Sequence, residues 1–180
     1  MCYPKFMIEL LILYVIANRE FTMYGIQKEI ENFFGIYTRP SFGALNPALK
    51  RLETGGFLTS RKMMSDGGKL SVYYLATKQG LTELKKLLLE DMSANPLQFQ
   101  SNAKIKLSCA DILEKEKRED LFFTVKSKAM EFKKDAEKLL NNEYSKKNFY
   151  QKILLDNSIC EYSNLITIIE GFEKDNARNG

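Results

Sequence analysis

The sequence predicts a mainly α-helical chain with one small β-hairpin, divided into an N-terminal domain over residues 1–92 and a helical domain over residues 93–180. Three observations predict it. Segments of the first 92 residues repeat apolar side chains at helical spacing. Two short β-prone runs flank Asp66-Gly67-Gly68, a hairpin signal because glycine takes positive φ without steric penalty. Beyond Asn95-Pro96 the composition turns polar and helix-favouring, with two apolar stripes of coiled-coil spacing.

In order, residues 5–18 carry Phe6, Ile8, Leu11, Ile12, Tyr14, Val15 and Ile16 around much of the circumference, the pattern of a deeply buried helix. Phe21-Thr22-Met23 reads as a short extended piece. Tyr24–Phe34 places Ile26, Ile30, Phe33 and Phe34 on one helical face, and Gly35 stops it. After a loop at Ile36–Pro40, Ser41 is the expected cap of a third helix whose core stripe is Leu45, Leu49 and Leu52. Pro47 falls within its first two turns, where a missing backbone donor does least damage. Gly55-Gly56 ends it. Phe57–Met64 and Leu70–Ala76 are the two strands, and Thr77 caps a fourth helix over roughly 78–92.

In the second half, Val125, Ala129, Phe132, Ala136 and Leu139 step by four and three, as do Leu155, Ile159, Tyr162, Ile166 and Ile169. Each is an apolar seam of about two heptads. The two helices, joined near 141–145, form a helical hairpin with no evident partner inside the N-terminal domain. A second copy of the chain is the simplest partner, so these ten residues are the expected dimerisation contacts.

Composition bounds the chemistry. Net charge is +4 on 180 residues. Residues 1–80 hold ten Lys/Arg and six Asp/Glu, and the remainder seventeen of each, so the whole excess lies in the N-terminal domain. Localised positive charge attracts polyanions, although many proteins of this charge never meet nucleic acid. There is no histidine. That removes the commonest general base, zinc ligand and nucleophile partner. No phosphate loop or recognisable carboxylate pair appears, so no enzyme activity, metal or cofactor is expected. Cys2, Cys109 and Cys160 are odd in number and match no metal spacing, which suits reduced thiols in the cytoplasm. Phe6–Ala17 is too short to span a bilayer, and no membrane partner is expected.

Helix, short strand, helix, helix, hairpin is the order of a winged helix, in which the second and third helices form a helix-turn-helix and the hairpin is the wing. The stretch SFGALNPALKRLETGGFLTS resembles the most characteristic segment of the PadR family of bacterial transcriptional regulators, through Ser41, Gly43, Leu45, Pro47, Ala48, Leu49, Arg51, Leu52, Glu53 and Gly56. Met23-Tyr24-Gly25-Ile26 is similar to the family's segment opening the second helix, and Tyr73–Gly80 to its segment after the wing. The resemblance covers roughly residues 5–90. Asn46 and Ile26 stand where the family usually has tyrosine, which bears on sequence preference. The C-terminal half is similar in character to the helical dimerisation domain of the virulence-activator, AphA-like branch. The resemblance implies a homodimeric, cytoplasmic DNA-binding regulator, most often a repressor. Some relatives respond to small aromatic or drug-like ligands; nothing in this sequence identifies an effector.

A recognition helix presents its N-terminal half to the major groove. Here that half is Ser41, Phe42, Gly43, Ala44 and Asn46. The Asn46 amide can pair with adenine, or be a solvated helix residue. Thr38 and Ser41 are candidates for phosphate, as are Arg39 before the helix and Lys50 off its leucine stripe. Arg51 neighbours the stripe and pairs either with Glu53 or with a partner helix. Arg61, Lys62 and Lys69 on the wing suit the minor groove or its phosphates. Tyr24 either holds a phosphate at the start of the second helix or packs in the core. The rival reading is a winged-helix protein–protein interaction module that has lost DNA binding.

Overall fold

The computed structural model describes residues 5–64, 68 and 70–178. The elements are α1 (Lys5–Val15), β1 (Phe21–Thr22), α2 (Met23–Phe34), α3 (Phe42–Thr54), β2 (Leu58–Met64), β3 (Leu70–Ala76), α4 (Lys78–Leu89), α5 (Pro96–Ser108), α6 (Lys115–Leu140) and α7 (Phe149–Arg178), with a 3₁₀ turn at Ala110–Ile112. This is the mainly α fold with a small sheet that the apolar periodicity implies. The chain divides into two compact units, 1–90 with 104–112, and 91–103 with 113–180.

In the first unit, α1 is the core. Met7, Leu10, Leu11, Ile12, Leu13 and Ile16 are buried, and Ile26, Ile30, Leu45, Leu49, Leu52, Leu84 and Leu88 are buried with them. The predicted face of α2 holds except at Phe33, which is exposed and set edge-on to the buried Phe34 at 6.2 Å. The first helix ends three residues short of Asn18. The Ile16 carbonyl instead accepts from the Ala76 N–H at 3.2 Å, which draws the chain off the helix toward the sheet. That sheet is antiparallel in the order β1-β3-β2, with Thr22 and Arg61 both opposite Tyr73. The fourth helix ends at Leu89, because Glu90 turns extended with ψ 154. Thr22 and Thr77 cap α2 and α4 through their hydroxyls, accepting from Gly25 N and Gly80 N.

In the second unit, Asn95 caps α5. Its Oδ1 accepts from Leu97 N and Gln98 N, both at 3.1 Å, with Pro96 as the first helical residue where no donor is needed. Asn148 and Gln151 form a reciprocal cap that starts α7. Helices α6 and α7 make the predicted hairpin. The seam between them closes within one chain: Phe132 stacks on Tyr162 at 5.8 Å, and Phe99 of α5 covers both at 5.1 and 6.4 Å. Lys126 bridges Glu170 and Glu173 across the pair.

Most of the heptad residues expected at an interface between copies pack within the one chain. Val125, Ala129, Phe132, Ala136, Tyr162 and Ile169 are buried inside the monomer, and Leu155, Ile159 and Ile166 are partly covered. Phe99 of α5 covers Phe132 and Tyr162 among them. Leu139 alone of the ten is exposed.

Candidate nucleic-acid interface

The helix-turn-helix is positioned by its loop. Gln27 on α2 donates to the Pro40 carbonyl at 3.1 Å, which fixes the approach to α3. Arg51 on α3 donates from Nε to Glu9 on α1 at 2.7 Å, so of its two expected partners it takes the neighbouring helix and not Glu53. Glu53 instead accepts from the Ser60 hydroxyl on β2, tying the end of α3 to the wing. With Leu45, Ala48, Leu49 and Leu52 buried, α3 turns Phe42, Gly43, Asn46, Pro47 and Lys50 outward.

The predicted contacts separate on this frame. Tyr24 is 67% exposed and Phe42 42%, and their rings stack at 6.5 Å with 25° between planes. Tyr24 therefore stands on the surface and not in the core. Ser41 occupies the N-cap of α3 through its carbonyl, which accepts from Ala44 N and Leu45 N. Its exposed hydroxyl makes no capping bond. Thr38 is 4% exposed, so its hydroxyl is withdrawn from any phosphate in this conformation. Its backbone N–H closes the loop onto Phe34 O at 2.8 Å. Arg39 is exposed, but its Nε donates to Gly35 O at 3.0 Å at the end of α2, a favourable place for a cation.

On the wing, Arg61 and Lys62 are both exposed and, as strand neighbours, point to opposite faces. Arg61 is paired with Glu20, whose carboxyl is held below the ordinary carboxylate value chiefly by hydrogen bonding to that guanidinium. Lys69 and the Asp66-Gly67 tip lie outside the described residues. Lys28, not among the residues singled out from the sequence, is exposed one turn along α2 from Tyr24. The i, i+4 spacing puts it on the same helical face as Tyr24.

Residues 12–86 match the family model described as the transcriptional regulator PadR-like family. These residues form a PadR-like domain. Among solved structures, Bacillus subtilis PadR in complex with operator DNA is similar at 19% identity and a TM-score of 0.47, over 94% of this chain and 99% of that one. A PadR-like transcriptional regulator from Bacillus cereus is similar at 16% identity and a TM-score of 0.42, over 96% and 99%. A Streptococcus mutans protein is similar at 29% identity and a TM-score of 0.41, over 48% of this chain and 79% of that one. No curated protein matches the chain. The PadR-like domain spans α2, α3 and the wing, so every candidate contact named above falls inside it; the second unit lies beyond the match. No helix among the described residues is long and apolar enough to cross a membrane. Among those residues no group of His, Cys, Asp or Glu is placed to hold a metal ion.

Proposed function

We propose that the chain is a sequence-specific regulator of transcription that binds duplex DNA through α3 and the wing. The observation that carries this reading is the outward face of α3 inside a PadR-like domain: an exposed amide at Asn46, Lys50 one turn on, and small residues Gly43 and Ala44 beside them. Such a face can approach base edges while its cation meets phosphate. The reading extends to a homodimer acting as a repressor in the cytoplasm, on a near-palindromic operator with half-site centres about 34 Å or a multiple apart. With the heptad seam closed inside the monomer, the second copy is assigned to the outer side of α7. Tyr150, Leu154, Ile168 and Phe172 are exposed there and fall on one side at 3.6 residues per turn.

Fluorescence anisotropy tests the reading, with duplex DNA enriched by the protein from a random library and with unselected duplex, at about 50 and about 200 mM salt. Tight binding of the enriched duplex with a steep salt slope is expected. A folded protein that enriches no sequence and binds no duplex in a salt-dependent way overturns it and favours a protein-interaction module.

A further inference from the structure

Tyr24 and Phe42 are two large rings left in solvent at the head of the outward face of α3. Stacking holds the Phe42 ring against Tyr24, so little side-chain freedom remains to be lost when that ring meets a partner. The pair lies within one continuous stripe. Lys28 is one turn from Tyr24 along α2; Asn46 and Lys50 are one and two turns from Phe42 along α3. An apolar centre with an amide beside it and a lysine at either end matches a groove floor between two phosphate strands. The surface is open at Gly43, where a Cβ would meet only Ser41 Oγ at 3.7 Å.

We propose that the stacked Tyr24–Phe42 pair is a specificity element that reads the C5-methyl group of a thymine, next to the base pair contacted by Asn46. A phenyl ring offers no hydrogen bond to a base edge, and the apolar feature of the major groove is the thymine methyl. Phe42 supplies the contact and Tyr24 is the positioning residue that holds its ring. This inference rests on the DNA-binding reading above, and its test separates the two.

The probe is the duplex enriched by the protein from a random library, remade with each thymine singly replaced by 2′-deoxyuridine, which lacks only the methyl. Binding is read by anisotropy for the wild type and for Phe42→Ala, Phe42→Leu, Tyr24→Ala and Lys50→Ala, each checked for native circular dichroism. The wild type should lose about fourfold in affinity at one thymine per half-site, the worth of one buried methyl. Phe42→Ala should bind both duplexes alike at that position, Phe42→Leu should keep part of the difference, and Tyr24→Ala should shrink it. Lys50→Ala should weaken binding while keeping the full difference. A wild type indifferent to every deoxyuridine, or a Phe42→Ala protein that keeps the difference, overturns the methyl contact with DNA binding intact. If no duplex is enriched, the DNA reading falls and takes this one with it.

Discussion

Arg61 on β2 is clamped by Glu20 across the width of the sheet: Nε donates to Oε2 at 2.7 Å, and Nη2 closes the second arm on Oε1. Glu20 precedes β1, and β3 lies between β1 and β2. An exposed pair of this kind adds little to stability. It does occupy a cation that the wing would otherwise offer to phosphate. Because the Glu20 carboxyl is held low, the clamp persists through neutral pH and opens only as pH falls through a value below the ordinary 4.5. Glu20→Gln should therefore tighten DNA binding at pH 7 and steepen the plot of log affinity against log salt by about 0.9, the signature of one added phosphate contact. An unchanged slope would show that Arg61 does not reach the backbone.

Asn46 and Lys50 share the outward face of α3 but should fail differently. Asn46→Ala removes a bidentate amide and should cost about 1–3 kcal/mol on the preferred duplex, with little effect on unrelated DNA. Lys50→Ala removes only charge, so it should weaken all duplexes alike and lower the salt slope by about 0.9. Competition of the enriched duplex against unselected DNA distinguishes the two outcomes. Equal loss on both duplexes for Asn46→Ala would make it a solvated residue.

Gly80 and Gly43 form a second contrast. A Cβ on Gly80 would lie 1.9 Å from the Phe57 carbonyl oxygen, which already accepts the Thr77 N–H at 3.0 Å. Gly80→Ala must push α4 off the base of the wing and should cost about 1–3 kcal/mol in urea unfolding. Gly43→Ala has open space and should leave stability unchanged or slightly raised, since alanine favours the helix. Equal stability of Gly80→Ala and wild type would contradict the close approach.

The first unit was legible because its signals are local. Thr22 and Thr77 cap where a hydroxyl precedes an apolar period, and Leu45, Leu49 and Leu52 all turn inward. Ser41 shows the limit: its place at the helix start was readable, but not that its hydroxyl would leave the cap unused. The seam of α6 and α7 was equally visible, yet what covers it was not. Helix α5 buries Phe99, Asn102, Ala103, Ile105 and Lys106, which lie around more than one side and leave no single apolar stripe. Without that stripe Phe99 gave no sign of packing on Phe132 and Tyr162. Pairing of Arg61 with Glu20 and Arg51 with Glu9 joins residues about forty apart, which spacing along one helix cannot show.

Two substitutions in the second unit should therefore part company. Phe132→Ala opens the ring cluster inside the monomer and should cost about 3–5 kcal/mol in unfolding. Leu154→Glu places a charge on the exposed side of α7 and should leave helicity intact while shifting sedimentation from dimer to monomer. A Leu154→Glu protein that stays dimeric would move the contact between copies elsewhere.

Cys109 and Cys160 should react at very different rates. Cys160 is exposed, whereas burial and the nearby Asp111 carboxylate push the Cys109 thiol far above the ordinary 9.0. The thiolate is the reactive form, so iodoacetamide at pH about 8 should label the peptide carrying Cys160 and spare that carrying Cys109 until denaturant is added. Tyr14, half-buried and donating to Asp111 Oδ1 at 3.1 Å, is raised for the same reasons of burial and negative charge. Both groups hold their proton more tightly folded than unfolded. Their contribution is complete below the ordinary values of 9.0 and 10.0 and drains away as pH rises beyond them, because only the unfolded chain then ionises. The urea midpoint should fall between pH about 8 and about 10.5, and Tyr14→Phe should flatten part of that fall. A midpoint constant over that range, or rapid labelling of Cys109 in the folded protein, would show that the end of α1 and the Ala110–Ile112 turn do not shelter these groups.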